Sequence, residues 1–183
     1  MYLFFDTETT GFPPGGPNVH MCQLAWILQS DTAQSLAHGN FLIRPEGWTI
    51  PEEVAKIHGI TTARVNTEGF PVGEVLSLFT ACTYMPVRLV AHNIAFDTKI
   101  LAAEFERLGW ENTLQGKETL CTMQSSTALC ALPRAGGGGF KRPKLQELHM
   151  KLFGCGFDNA HNTLYDIKAT AKCFWELRRM GRI

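Results

Sequence analysis

The sequence predicts an α/β fold, a mixed central sheet of about five strands flanked by helices. Three observations lead to it. Apolar runs of strand length cluster early, at residues 2–5, 21–28 and 37–43. Two more such runs, at 87–91 and 119–123, come later and alternate with helical patterns. The order, strands first and then strands between helices, suits an antiparallel meander continued into a mixed sheet.

Each element has its own local reason. Residues 2–5 are apolar and aromatic, which suits a buried strand, and Thr9-Thr10-Gly11 followed by Pro13-Pro14-Gly15-Gly16 ends it. A short helix over 51–57 opens at Pro51 and stops at Gly59. Val75, Leu76, Leu78 and Phe79 mark a helix over 72–83. After the strand at 87–91, Asn93 is placed to cap a helix whose apolar positions Phe96, Ile100, Leu101 and Phe105 follow a 3.6-residue period, and Gly109 closes it. Residues 133–143 hold four consecutive glycines and read as a mobile surface loop. A phosphate-cradling loop is the other reading, but the Gly-Lys-Ser/Thr ending is missing. Helices over 145–153 and 163–179 complete the chain, which reads as one domain over 1–183 without repeats or linkers.

The acids carry the chemistry. Asp6 and Glu8 stand two apart at the end of the first strand, so both project from one face. Such a pair repels itself and loses hydration unless a cation sits between its members, and hard ions such as Mg²⁺ prefer carboxylate oxygen. Asp97 lies about one helical turn past the strand at 87–91, at the kind of strand-to-helix junction where ligands gather. A helix-start acid that complements the dipole is its plainer reading. His161 and Asp166 are about 140° apart on an ideal helix and share no helical face. Their spacing suits His161 in a loop and Asp166 in the first turns of the last helix, with Asn159 or Asn162 as its cap. Singly, each of these residues is ordinary. Together, four carboxylates brought to one place require metal, and a neutral histidine beside them can take a proton from water. Such a set suits hydrolysis of a phosphodiester with two bound divalent ions.

Composition limits the alternatives. The 183 residues carry 17 basic and 17 acidic side chains for a net charge of +0, which argues against a long basic groove. Six cysteines include no CxxC pair and no zinc-finger spacing, and read as reduced thiols. The first residues lack a basic leader pattern, and no apolar stretch nears the roughly 20 residues that span a bilayer. The protein is therefore expected to be soluble and cytoplasmic, with no membrane partner.

The motifs also carry a resemblance. Phe5-Asp6-Thr7-Glu8-Thr9-Thr10-Gly11 resembles the first motif of the DnaQ-like 3'→5' exonucleases of the histidine-bearing DEDD class, the family of proofreading exonuclease domains. Ala91-His92-Asn93-Ile94-Ala95-Phe96-Asp97 resembles the second, and His161-Asn162-Thr163-Leu164-Tyr165-Asp166 the third. His58-Gly59-Ile60-Thr61 is similar to a further segment frequent there. The likeness runs from about residue 2 to residue 177. It implies a ribonuclease-H-like fold and release of nucleoside 5'-monophosphates from the 3' end of DNA, single-stranded by preference. It implies Asp6, Glu8, Asp97 and Asp166 as ligands of two Mg²⁺ ions, with Mn²⁺ as substitute, Asp6 as the bridging ligand and His161 as general base. Thr7, Thr9, Ile57, His58 and Phe96 would hold the terminal nucleotide, although His58 could instead cap the short helix. His92 reads as structural. Thr163 departs from the small residue common at its position, and a local adjustment is expected there.

Arg134, Lys141, Arg142 and Lys144 flank the glycines and offer a grip on strand phosphates, or simply a solvated loop. The chain ends soon after its last helix, without an evident tail for binding a polymerase, so recruitment to such a complex would need another route. Competing readings are an exoribonuclease, a silent nucleic-acid-binding module, and a phosphatase using Asp6 as nucleophile. The last would want Asp-x-Asp, and position 8 is Glu.

Overall fold

The computed structural model describes residues 1–11, 19–158 and 162–183. Its five strands are β1 (Tyr2–Thr9), β2 (Met21–Gln29), β3 (Ser35–Leu42), β4 (Arg88–Ala91) and β5 (Thr119–Cys121), in the sheet order β3-β2-β1-β4-β5. β1 pairs antiparallel with β2, and β2 with β3, while β1–β4 and β4–β5 are parallel. The mixed sheet predicted from the order of apolar runs is present.

The helices are α1 (Glu52–His58), α2 (Thr62–Glu68), α3 (Val72–Thr83), α4 (Ile94–Arg107), α5 (Thr122–Cys130), α6 (Leu145–Phe153) and α7 (Thr163–Arg179). Alternation along β1 divides the core between the two faces of the sheet. Leu3 and Phe5 join Leu24, Trp26, Phe79 and Leu101 on the side of α3 and α4. Tyr2 and Phe4 join Val90, Ala171 and Phe174 on the side of α7, with the Tyr2 and Phe174 rings 4.8 Å apart. Burying these aromatic side chains is the main stabilising contribution of each face. Gly39 lies against the Trp26 ring, where an added Cβ would come within 2.3 Å of ring carbons.

The structure departs from the sequence-based expectations at four places. The run at 119–123 is a strand only to Cys121, and Thr122 begins α5, whose buried Thr122, Met123, Ser126 and Cys130 recur at helical spacing. α2 was not anticipated. It is one short segment with a single buried residue, Val65, and the Thr61 hydroxyl caps it by accepting the Arg64 N–H at 3.2 Å. Within the surface loop read over 133–143, the glycine run adds a hydrogen-bonded turn that the sequence did not specify. Arg134 N–H donates to Gly139 O, Lys141 N–H to Leu132 O, and Gly136–Gly139 all have positive φ. Asn93 occupies the N-cap position of α4 but is left-handed (φ 75°), and its side chain makes no cap hydrogen bond. Among the described residues, no helix is long and apolar enough to cross a membrane.

Candidate active site

The C-terminal end of β1 sets the site. Asp6 and Glu8 follow Tyr2 and Phe4 on the α7 face, and a register shift against β2 falls between Glu8 and Thr9. Asp166 arrives from the first turn of α7, whose start is fixed by Asn162 accepting the Leu164 N–H at 3.2 Å. Of the two asparagines considered for this cap, Asn162 serves, and Asn159 lies outside the described residues. Carboxylate oxygens of Asp6, Glu8 and Asp166 lie within 4.8 Å of one another.

Asp97 comes from α4, on the other face. It is 2% exposed, and its Oδ1 accepts from both the Thr7 N–H at 3.0 Å and the Thr7 hydroxyl at 2.8 Å. Thr7 points to the α4 face because it alternates with Asp6 and Glu8. One strand segment therefore supplies two of the acids and anchors a third.

The electrostatics record the crowding. Burial first, and then the charges of Asp97, Glu8 and Asp166, hold the Asp6 carboxyl well above the usual range. Glu8 is pushed up to about 8 by burial and then by Asp166 and Asp97. Burial raises Asp97 to about 7, although its hydrogen bonds from Thr7 pull the other way. The mutual repulsion is strongest at Asp6, which three neighbouring carboxylates raise together. An all-oxygen donor set with this much mutual repulsion fits hard divalent cations.

The other expected residues divide into two groups. Thr9 is buried, and its hydroxyl donates to Gly11 O at 2.5 Å. His58 Nδ1 accepts the Ile60 N–H at 3.1 Å, which leaves the ring proton on Nε2, facing Thr9 O at 3.3 Å. The ring thus closes the turn after α1 and ties it to the end of β1. Ile57 is 46% exposed at the rim, and Phe96 packs partly against the main core. His92 is structural: its ring meets the Thr122 hydroxyl and Pro143 O, each at 3.0 Å. His161 lies outside the described residues.

Two residues escaped the sequence reading. Gln23 sits opposite Glu8 in the β1–β2 register and donates to Asn40 Oδ1 at 2.7 Å. The fully buried Thr163 hydroxyl faces the same oxygen at 3.4 Å. The adjustment expected at Thr163 is thus a contact with β3. A lone polar residue inside the apolar run of β2 was the available signal.

Comparison with known proteins bears on the same site. The model of the RNase T exonuclease family matches residues 3–174. The chain belongs to the DnaQ-like 3'→5' exonuclease family. Members of this family are exonucleases, and the family uses divalent metals. Among curated protein sequences, none matches. E. coli Exonuclease I in complex with a dT13 oligonucleotide superposes with a TM-score of 0.81 at 18% identity, covering 97% of this chain and 40% of that one. The zinc-bound form of the E. coli Exonuclease I–ssDNA complex gives 0.80 at 18% identity, with the same coverage. A product-bound exonuclease I gives 0.79 at 16%, covering 97% and 43%. At these identities the likeness establishes the ribonuclease-H-like fold. This chain spans about two-fifths of the length of those proteins.

Proposed function

We propose that residues 1–183 act as one exonuclease domain that removes nucleotides singly from the 3' end of single-stranded DNA, releasing nucleoside 5'-monophosphates. The observation that carries this reading is the grouping of Asp6, Glu8 and Asp166, whose carboxylate oxygens lie within 4.8 Å of one another, with the buried Asp97 acting on Asp6 and Glu8 beside them. Asp6, Glu8, Asp97 and Asp166 would hold two divalent cations, Mg²⁺ or Mn²⁺, with Asp6 shared between them. Bound there, the ions would supply the positive charge that stabilises an attacked phosphate and its leaving 3' oxygen.

The chain's own residues do the rest. Thr7 fixes the Asp97 carboxylate through two hydrogen bonds. His58 holds the end of β1, where Thr9 would meet the terminal sugar. Ile57 and Phe96 offer apolar surface to that nucleoside. His161 is assigned as the base that takes a proton from the attacking water, on the strength of its place in the third motif. DNA is favoured because the similar Exonuclease I structures hold dT13 and dA16 oligonucleotides.

The test is digestion of 5'-labelled single-stranded DNA and matched RNA with Mg²⁺, Mn²⁺ or chelator. The reading predicts a ladder shortening one nucleotide at a time on DNA, absent with chelator. Internal cuts, activity with chelator, or a preference for RNA would each overturn the corresponding part.

A further inference from the structure

We infer that the cleft beside the acids, between β4, α5 and α6, is the seat of the penultimate nucleotide, with Phe157 under its base and Arg142 and Lys144 on its 5'-phosphate. The inference rests on the exonuclease reading above and extends it to how the strand is held.

Position comes first. The sheet order places β2 on one side of β1 and β4–β5 on the other. Of the residues proposed for the terminal nucleoside, Thr9 and His58 lie on the β2 side, where His58 also meets Cys22 Sγ at 4.0 Å. On the opposite side a cleft of about 570 Å³ opens directly from Asp6 and Asp166. A strand whose scissile phosphate sits at the acids, with its last nucleoside on the β2 side, leaves toward this cleft.

The lining suits a nucleotide. Arg142, Lys144 and Phe157 line it together with Asn93, Gln146 and Met123. Lys141, one of the cations read from sequence as a phosphate grip, is neutralised by Glu147 at 2.5 Å. Arg142 and Lys144 are exposed, and among the described residues neither forms an ion pair. Two such cations on one wall of the cleft can meet a strand phosphate once the acids are balanced by the proposed ions.

The lining is also held in place. His92 grips Pro143 O, between the two cations, and its position just past the C-terminal end of β4 ties this segment to the sheet. The Gln146 side chain accepts the Phe157 N–H at 3.1 Å and donates to Phe157 O, while the His149 ring meets the Phe157 ring at 5.4 Å. A half-buried aromatic ring fixed in this way is a stacking platform for a base.

Thymidine dinucleotide with and without a 5'-phosphate tests the assignment, since only the phosphorylated form carries the second phosphate. In the parent enzyme the 5'-phosphate should raise kcat/KM roughly tenfold. In R142A/K144A that gain should vanish, while cleavage of the unphosphorylated dinucleotide stays within about twofold. Phe157→Leu, which keeps an apolar side chain but no ring, should lower cleavage of both forms by roughly tenfold. Melting curves confirm that each variant folds. The cleft assignment is overturned if R142A/K144A lowers both substrates equally or neither, or if Phe157→Leu leaves both unchanged. A parent enzyme that digests neither dinucleotide nor longer DNA would instead bring down the exonuclease reading.

Discussion

Helix α4 buries two acids seven residues apart, Asp97 and Glu104, at 2% and 4% exposure. They are handled in opposite ways. Glu104 is compensated: Arg107 pairs with it at 2.6 Å, and it accepts the Met21 N–H at 2.8 Å. Arg107 in turn donates to Val19 O, so that set of contacts staples α4 to the start of β2. Asp97 accepts two bonds from Thr7, and its charge raises the carboxyls of Asp6 and Glu8. One buried charge serves the fold, and the other is maintained against the fold's interest. A buried carboxylate is costly, so several crowded into one place point to a ligand that completes them.

Substitutions can break this contrast. Asp97→Asn should lower exonuclease activity on the order of 10³-fold, yet raise the melting temperature measured in chelator at pH 8, where a buried ionised carboxylate is replaced by a neutral amide. Glu104→Ala should do the reverse. It strands Arg107 and the Met21 N–H and should cost about 3 kcal/mol in denaturant unfolding, while kcat of the folded protein stays near that of the parent. If the two variants had the same effects, the distinction between the acids would fail.

A pH series sharpens the same point. Glu8 is raised from its ordinary 4.5 to about 8, so the folded protein holds this proton more tightly than the unfolded chain. Its contribution to stability is therefore full below about pH 4.5 and is lost as pH rises to about 8. Melting in chelator should fall across that window, and added Mg²⁺ should recover more at pH 8 than at pH 5, because the cations bind the ionised acids. A Mg²⁺ effect independent of pH would count against binding at Glu8. The smallest expected effect is that of Thr7→Val. Losing the hydroxyl bond to Asp97 should lower activity roughly tenfold, with only about 1 kcal/mol lost in stability.

Much of this was legible in the sequence, and the exceptions are instructive. Strand spacing of two placed Asp6 and Glu8 together, and that inference needs only the alternation of a strand. The break after β4 pointed to Asp97, and the pair Asn159 or Asn162 marked the start of α7, with Asn162 the one that serves. Thr7 was read as a substrate contact. Its pairing with Asp97 depends on α4 crossing the opposite face of the sheet, a long-range fact that local pattern does not carry. The same holds for the Gln23–Asn40–Thr163 contact, which joins three separate elements. α5 was obscured because β-branched Thr119 and Thr122 flank the short strand, and tertiary packing rather than propensity decides where it ends. The Lys141–Glu147 pair likewise removed one cation from a cluster that sequence alone treats as uniform.

The most direct test counts ions. Metal-stripped protein titrated with Mn²⁺ and followed by electron paramagnetic resonance should bind two ions per chain, with occupancy sharply reduced in Asp6→Asn and Asp97→Asn and unchanged in Glu104→Gln. Equal Mn²⁺ binding by all four proteins, or none by the parent, would contradict a metal centre built on these acids.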